Sequence, residues 1–284
     1  GTCIRIGCEP FYLARELGYF EAAPIRIVEY NSATEVLRAF RNGAINAAAL
    51  SLDEVLQLSQ HVSGVRIVLV MNYSNGADVI LGGRGLKTLA DIRGKRVGVE
   101  NTALGAYVLA RALQIEGLEP RQIQLVPLLV DQHERAFLDH RVDAVVTFEP
   151  VHSRLEAQGA HHLFDSRQLP KEMVNVLAIR TAFLKRHPDS VRALLQGWFH
   201  ALARMNKQPA DSLQRMSLSR QMSVRSYADS LTGYHFLTLE ENRQLFSGKP
   251  SPLIQRMQNL AAFMLDRRLL SKPAAVEEMV DIGP

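Results

Sequence analysis

Cysteine is almost absent from this 284-residue chain, which has only Cys3 and Cys8. Both lie in an apolar segment, residues 3–8, that we interpret as a β-strand. In an extended strand these two positions would be roughly 16 Å apart and on opposite faces, so their thiols are not expected to form a disulfide. We predict that both are buried packing residues. Two cysteines are too few to indicate whether the protein folds in an oxidising or a reducing compartment.

Long apolar runs are also missing. The longest run, residues 65–71, is interrupted by Arg66 and is far shorter than the roughly 20 residues that span a bilayer. The sequence therefore predicts no transmembrane helix. The chain begins at Gly1 and reaches its first apolar segment within two residues, which is typical of a mature or trimmed chain whose export signal has been removed.

The chain lacks a basic stripe that could follow a nucleic-acid backbone. Its 33 basic and 29 acidic residues are interspersed and leave a net charge of +4. The densest basic stretch, residues 84–96, includes Asp91 and has no aromatic residue on which bases could stack. We therefore expect no nucleic-acid partner.

Motifs for catalysis, metals and nucleotides are missing too. Neither G-x-S-x-G nor H-E-x-x-H occurs, so the hydrolase templates have no match. The nine histidines, including the adjacent His161 and His162, lack the spacing of a zinc site. The glycine-rich segment 82–85 has neither P-loop spacing nor a complete dinucleotide fingerprint, and we interpret it as a connection. We expect no catalytic residue, no metal and no cofactor.

The chain does contain a regular alternation of short apolar segments with segments of helical periodicity. In the first part, predicted strands 3–8, 25–30, 44–50 and 65–71 alternate with predicted helices 10–20, 33–42 and 52–60. A second series has strands 96–100, 123–129 and 143–148 with helices 102–116 and 131–140. Beyond it come a strand at 174–179 and helices at 190–206, 210–221 and 253–269.

This order of elements predicts an α/β fold with two lobes. The strand at 174–179 would return the chain to the first lobe, and the late helices would cover that lobe. We therefore predict a discontinuous lobe I, residues 1–79 and 179–284, and an inserted lobe II, residues 80–178. A ligand cleft is expected between them.

Several segments, in order and at plausible spacings, are similar to segments of one protein family. They are Ile4-Arg5-Ile6-Gly7, Leu17-Gly18-Tyr19-Phe20, residues 37–46, Ser74-Asn75-Gly76-Ala77-Asp78, residues 88–99 and residues 142–150. From about residue 4 to 186 the chain resembles the periplasmic solute-binding proteins of ABC importers, of the nitrate, sulfonate, taurine and thiamine-pyrimidine-precursor type.

The resemblance implies a bilobal type II periplasmic-binding-protein fold with hinge strands near residues 79–81 and 176–179. It implies a periplasmic or extracytoplasmic monomer, not an enzyme, that closes over a small ligand and delivers it to ABC permease subunits. Two alternatives stay open: a ligand-sensing domain of a signalling receptor, and a pyrimidine-synthesis enzyme of the same fold. That enzyme needs a cysteine-rich iron motif, from which this chain departs with its two cysteines.

In such sheets ligands bind beyond the carboxyl ends of the strands, so we take the residues after each strand as the candidate binding residues. They are Glu9, Phe11, Asn31, Ser51, Tyr73, Ser74, Asn75, Asp78, Asn101, Thr102, Ala103, Gly105, Phe148 and Glu149. Some have a structural alternative, since Asn31 and Ser51 also suit helix N-caps and Asn75 suits an ordinary turn.

Residues 101–105 join a strand to a helix N-terminus, where free N–H groups and the helix dipole favour an anion. Plain capping of that helix is the alternative. Glu9, Glu100 and Glu149 are also expected near the cleft, which favours a ligand with a positive or hydrogen-donating group. We therefore expect a taurine-like or pyrimidine-like ligand rather than nitrate, with Glu149 either binding its amine or ring N–H or pairing with an arginine.

Overall fold

The structure is a computed structural model that describes residues 1–21, 23, 25–100 and 103–280. Its strands are β1 (Thr2–Cys3), β2 (Glu29–Tyr30), β3 (Ala47–Ser51), β4 (Val65–Ser74), β5 (Asp78–Gly82), β6 (Arg96–Val99), β7 (Gln124–Pro127), β8 (Ala144–Phe148), β9 (His161–Asp165), β10 (Val174–Arg180) and β11 (Tyr234–Phe236). Its α-helices are α1 (Glu9–Glu16), α2 (Ala33–Arg41), α3 (Leu52–Ser59), α4 (Ala103–Glu116), α5 (Val130–Leu138), α6 (Val151–Ala157), α7 (Thr181–Arg186), α8 (Pro188–Lys207), α9 (Pro209–Ser219), α10 (Val224–Leu231), α11 (Leu239–Phe246) and α12 (Pro252–Asp266).

The first sheet is built from both ends of the described chain. Its hydrogen-bonded order is β11-β4-β10-β3, with β10 antiparallel to both of its neighbours. Strand β1 pairs in parallel with β2 and continues the sheet beyond β3, because the Ala49 N–H donates to the Gly1 carbonyl at 2.9 Å. The N-terminal ammonium of Gly1 also donates to the Ala47 carbonyl at 2.7 Å.

The second sheet has the order β7-β6-β8-β5-β9. Strand β6 is parallel to β7 and to β8, whereas β5 runs antiparallel to β8 and β9. Its central strands β6, β8 and β5 are almost wholly buried, whereas the edge strands β7 and β9 are partly exposed, as expected of a sheet whose middle is covered by helices. The predicted α/β class is therefore confirmed, with two separate sheets.

The chain passes between the two sheets at two adjacent places. Residues 75–77 join β4 to β5, and residues 166–173 join β9 to β10. These connections touch, since Ser74 Oγ lies 2.7 Å from Ser166 Oγ and the Gly76 N–H donates to Ser166 Oγ at 2.7 Å. Because β5 and β10 each belong wholly to one sheet, we propose lobe boundaries at these connections, a few residues from the 79 and 179 expected.

Two strands at the start of the chain are shorter than expected. The strand predicted at 3–8 is wrong beyond Cys3, because residues 6–8 form a 3₁₀ turn that leads into α1. Asn72 Nδ2 donates to the Gly7 carbonyl at 2.9 Å and holds this turn against β4. The strand predicted at 25–30 is limited to Glu29–Tyr30, since β1 offers only two residues to pair with. Both cysteines are buried and free, as predicted.

The late helices cover the first sheet. Helix α8 packs against α1, and the ring of Trp198 lies 4.5 Å from that of Phe11. The sequence missed β11, which pairs with the end of β4 and lies between the helices predicted at 210–221 and 253–269, where no element was predicted. None of the described helices combines the length and the apolarity needed to cross a membrane.

Candidate functional site

A cluster of charged side chains is buried where the two sheets face each other. Its members are Arg5, which follows β1; Asp53 and Glu54, in the first turn of α3; Asp78, the first residue of β5; and Glu100, which follows β6. Each is at most 6% exposed. One cation thus lies among four carboxylates in a region almost free of solvent, where unpaired charge is costly.

Arg5 connects this cluster to both lobes. Its Nη2 donates to Glu54 Oε1 at 3.1 Å, while the other oxygen of Glu54 accepts the Ser51 N–H at 2.8 Å. The centre of the guanidinium lies 4.9 Å from the ring centroid of Phe148, at the end of β8 in lobe II. Among the described residues, Arg5 Nε has no hydrogen-bond partner.

Burial shifts the titration of the carboxylates. It raises the pKa of Asp78, against the opposing effect of the Arg5 charge. Burial, together with the charge of Glu54, also raises the pKa of Glu100. Glu100 Oε1 accepts a hydrogen bond from Thr34 Oγ1, which lies on α2, at 2.9 Å. This bond joins lobe II to lobe I directly.

A cavity of about 10 Å³ lies against this cluster, which is room for about one water molecule. Its lining residues are Arg5, Asp78, Glu100, Leu104, Gly105, Val108, His133, Val146, Thr147 and Phe148. His133 Nδ1 lies 3.1 Å from Thr147 Oγ1, and burial lowers the pKa of His133 to about 4. His133 is therefore a neutral imidazole at this wall.

Helix α4 brings its first turn to the cavity. A Cβ added to Gly105 would lie 2.8 Å from Val99 Cγ2 and 3.0 Å from the Glu100 carbonyl oxygen. Only glycine therefore allows α4 to begin so close to the end of β6. Free N–H groups at a helix start favour an anion, and the predicted cradle at 101–105 falls here, although Asn101 and Thr102 lie outside the described residues.

A second set of contacts joins the lobes beside the cavity. Glu172, in the connection to β10, accepts hydrogen bonds from the Tyr107 hydroxyl at 2.7 Å and from Arg111 Nε and Nη2 at 2.8 Å each. The Tyr107 ring meets the ring of Phe263 edge-on at 5.4 Å. These contacts hold α4 of lobe II against α12 of lobe I.

The structure brings Asp78, Gly105 and Phe148 to the cavity, with Ala103 at the start of α4 just beside it. Ser51 is buried at the base of α3, next to Asp53, and its Oγ has no partner among the described residues.

Other candidates are occupied in connections or turns. Ser74 belongs to the contact between the two crossings, and the Asn75 N–H donates to the Gly233 carbonyl at 2.7 Å. The Asn31 N–H donates to Glu35 Oε2 at 3.0 Å at the start of α2, outside the cavity lining. The ring of Tyr73 stacks on that of His235 at 6.2 Å.

The structure places Glu9, Phe11 and Glu149 outside the cavity lining. Glu9 is fully buried in lobe I and pairs with Arg220, while Phe11 packs against Trp198. Glu9 and Phe11 lie outside the cavity lining because the 3₁₀ turn and α1 replace the expected strand end.

Glu149, the expected partner of a ligand amine, has other partners. Its Oε2 accepts the Ser153 N–H at 3.2 Å, and its Oε1 accepts Ser153 Oγ at 2.8 Å. His152 Nδ1 lies 3.1 Å from the same Oε1.

Sequence reasoning missed Arg5, Thr34, Glu54 and His133 as parts of this site. Arg5 carried a usable signal, because it is a charged residue between two isoleucines in an apolar segment. Glu54 and His133 sit in ordinary helical patterns and give no comparable sign.

Replacing Asp53 with asparagine is expected to stabilise the protein at pH 8 by up to about 4 kcal/mol. Burial and the charge of Glu54 raise the pKa of Asp53 from 3.8 to about 7, and each pKa unit corresponds to about 1.4 kcal/mol. The pKa of Asp53 is higher in the folded protein than in the unfolded chain. The protonated carboxyl of Asp53 therefore contributes stability that is complete below about pH 4 and is lost as the pH rises through about 7.

Urea unfolding at pH 8 and pH 4.5 measures this effect, and the gain should fall to about 1 kcal/mol at the lower pH. Asp131→Asn is a matched control, because Asp131 holds the same second position in helix α5 but is exposed. Equal effects of Asp53→Asn at both pH values would contradict the raised pKa.

The two-lobed α/β architecture is that of the periplasmic-binding-protein fold. The alkanesulfonate-binding protein SsuA from Xanthomonas axonopodis pv. citri, solved with MOPS bound, superposes with a TM-score of 0.85 at 20% identity over 99% of this chain and 96% of that one. This likeness confirms the predicted bilobal type II fold.

The family is shown by sequence as well. Residues 1–216 match the model of the NMT1-like family, and the chain belongs to that family. The taurine-binding periplasmic protein of Escherichia coli (strain K12) is 22% identical over 168 residues, 58% of this chain and 52% of that protein. The match thus spans about half the length of that relative. The predicted resemblance to sulfonate- and taurine-type binding proteins is confirmed.

The same fold also occurs in an enzyme. The desulfurization enzyme DSZB superposes with a TM-score of 0.70 at 16% identity, over 98% of this chain and 94% of that one. The fold alone therefore does not separate binding from catalysis, and the function has to be argued from the site.

Proposed function

We propose that this chain is the solute-binding component of an ABC importer, and that its ligand is a small aminosulfonate of the taurine class. The observation that carries the proposal is the buried cluster of one arginine and four carboxylates between the lobes. The taurine-binding protein among its relatives supports the same ligand class.

The carboxylates favour a cation in the ligand. Arg5 pairs with Glu54, and this leaves Asp78 and Glu100 at the cavity without a cation of their own among the described residues. Burying such carboxylates is unfavourable unless a positive group or hydrogen-bond donors compensate them. A ligand ammonium within reach of Glu100 and Asp78 would supply that charge.

The opposite end of the ligand would be anionic. The first turn of α4 reaches the cavity at Gly105, and Arg5 lines the same cavity with an Nε that lacks a partner among the described residues. A sulfonate has three oxygens that accept hydrogen bonds from a guanidinium and from helix N–H groups at once. The site therefore suits an ammonium and a sulfonate a few atoms apart.

The lobes would have to separate before a ligand enters, because the cavity of about 10 Å³ is smaller than an aminosulfonate. The contacts of Glu100 with Thr34 and of Glu172 with Tyr107 and Arg111 would break on opening, and lobes closed around a ligand would enclose a wider cavity than this one. We propose that the protein acts outside the cytoplasm as a monomer and that permease subunits recognise the closed form.

Replacing Glu100 with glutamine is expected to weaken taurine binding by about 1–3 kcal/mol, the range for a hydrogen bond to a charged group. Ethanesulfonate, which lacks the amine, should lose less or gain affinity, because a buried negative charge has been removed. Isothermal titration calorimetry with both ligands on wild type and variant measures the difference.

Two controls separate the charge of Glu100 from its role in lobe closure. Thr34→Val removes the interlobe hydrogen bond that Glu100 accepts without touching the charge, so both ligands should lose equally. Glu9→Gln removes a buried carboxylate outside the cavity and should leave both affinities unchanged. Equal losses of the two ligands in Glu100→Gln would contradict the pairing with an amine, and tighter wild-type binding of ethanesulfonate than of taurine would overturn the ligand class.

A further inference from the structure

Two histidines and one glutamate converge on the surface of lobe II, outside the cavity lining. His152 and Glu156 lie one turn apart on α6, and His162 lies at the start of β9. His152 Nε2 is 3.0 Å and His162 Nδ1 is 3.2 Å from Glu156 Oε1. One nitrogen or oxygen atom from each of the three residues lies within 4.8 Å of the others.

The second ring nitrogen of each histidine faces a buried carboxylate. His162 Nε2 lies 2.7 Å from Asp165 Oδ2, and His152 Nδ1 lies 3.1 Å from Glu149 Oε1. Both carboxylates have side chains only 6% exposed, and both are held by further bonds to Arg167 and Ser153. The contact of His162 with Asp165 has hydrogen-bond geometry, and carboxylates bonded in this way orient the imidazoles of metal sites and raise their basicity.

We propose that His152, Glu156 and His162 bind a transition-metal dication of the Zn²⁺ type. Zn²⁺ bonds of about 2.0–2.1 Å in a tetrahedral arrangement place neighbouring ligand atoms about 3.3 Å apart, close to the spacing of Glu156 Oε1 from the two nitrogens. Two imidazoles and a carboxylate suit Zn²⁺, Ni²⁺ or Cu²⁺ better than Ca²⁺ or Mg²⁺, which prefer oxygen ligands.

The arrangement fits a metal better than a plain set of ion pairs. Neither ring nitrogen of His152 has a partner with hydrogen-bond geometry among the described residues, although carboxylate oxygens lie about 3 Å from both. The side chain of His152 is only 13% exposed, while Glu156 and His162 are 40% and 32% exposed. An ion can therefore reach the site from solvent and complete its coordination with water.

Titration calorimetry with Zn²⁺ on tag-free protein tests the proposal, with Co²⁺ as an optical probe of tetrahedral coordination. We expect one saturable site, with affinity reduced at least about tenfold in His162→Ala and in Glu156→Gln. His161→Ala is the matched control, because His161 is the adjacent exposed histidine on the opposite face of β9. It should bind Zn²⁺ as the wild type does.

Circular dichroism would verify that each variant folds. If His162→Ala fails to fold, Asp165→Asn keeps the ligands and removes an orienting charge, and its affinity should fall about 10–100-fold. Absence of saturable Zn²⁺ binding to the folded wild type would overturn the proposal. An equal loss in His161→Ala and His162→Ala would overturn it too, because the ion would then be held by exposed histidines without this geometry.

Discussion

Replacing Arg5 with methionine is expected to lower the free energy of unfolding at pH 8 by about 3–5 kcal/mol and to abolish binding of a sulfonate ligand. Removing one partner of a buried ion pair leaves the other charge uncompensated, which is the costly case. Here the partner, Glu54, is fully buried, and Asp53, Asp78 and Glu100 lose the same cation. Methionine fills a similar volume, so a cavity contributes little.

The loss should shrink as the pH falls. Burial raises the pKa of Asp78 and of Glu100, and it raises that of Asp53 to about 7. These carboxyls become protonated at a higher pH in the folded state than in the unfolded chain, and a protonated carboxyl needs no cation. At pH 5 the variant should therefore lie closer to the wild type than at pH 8.

Urea unfolding at the two pH values measures the change in stability, and calorimetry measures the binding. In the double variant Arg5→Met with Glu54→Gln, part of the stability should return, because one buried charge has gone, while binding stays lost. If the single variant Arg5→Met lost less than about 1 kcal/mol of unfolding free energy at pH 8, the loss would be that of an exposed ion pair. This result would contradict the burial of the cluster.

The fold was largely predictable, because it depends on periodicity. Buried strands such as β8 stand out as short apolar runs, and α8 shows a regular apolar stripe. Errors arose where a tertiary contact decides the conformation. Asn72 binds the Gly7 carbonyl, and this contact, 65 residues away in sequence, turns residues 6–8 into a 3₁₀ turn rather than a strand.

Of the residues that line the cavity, the sequence selected only those that follow or end a strand. Asp78 follows β4, Gly105 follows β6 and Phe148 ends β8, and the rule that ligands lie beyond the carboxyl ends of strands selected them. Thr34 and His133 contribute to the candidate site because the two lobes are in contact there. The apolar periodicity of the sequence predicts helices and strands but not which residues of the two lobes come into contact. Glu9 was selected because of the strand that proved to be a turn.

The pair of Glu9 and Arg220 gives the second large effect and separates stability from binding. Glu9 is fully buried, and burial raises its pKa to about 7 against the opposing charge of Arg220. Arg220, which caps the end of α9, also lies 2.7 Å from Glu29. Replacing Arg220 with methionine is expected to cost about 3–5 kcal/mol at pH 8.

This cost should also fall with pH, since a protonated Glu9 no longer needs its partner, and it should be smallest below about pH 4.5, where Glu9 is protonated in both states. In contrast with Arg5→Met, the affinity for taurine should stay within about twofold of the wild type, because Glu9 and Arg220 lie outside the cavity lining and share no hydrogen-bond partner with Arg5 among the described residues. The double variant Glu9→Gln with Arg220→Met should recover most of the stability. If Arg220→Met instead lost binding as fully as Arg5→Met while still folded, Glu9 and Arg220 would belong to the ligand site, and the assignment of the site to the buried cluster at Arg5 would be wrong.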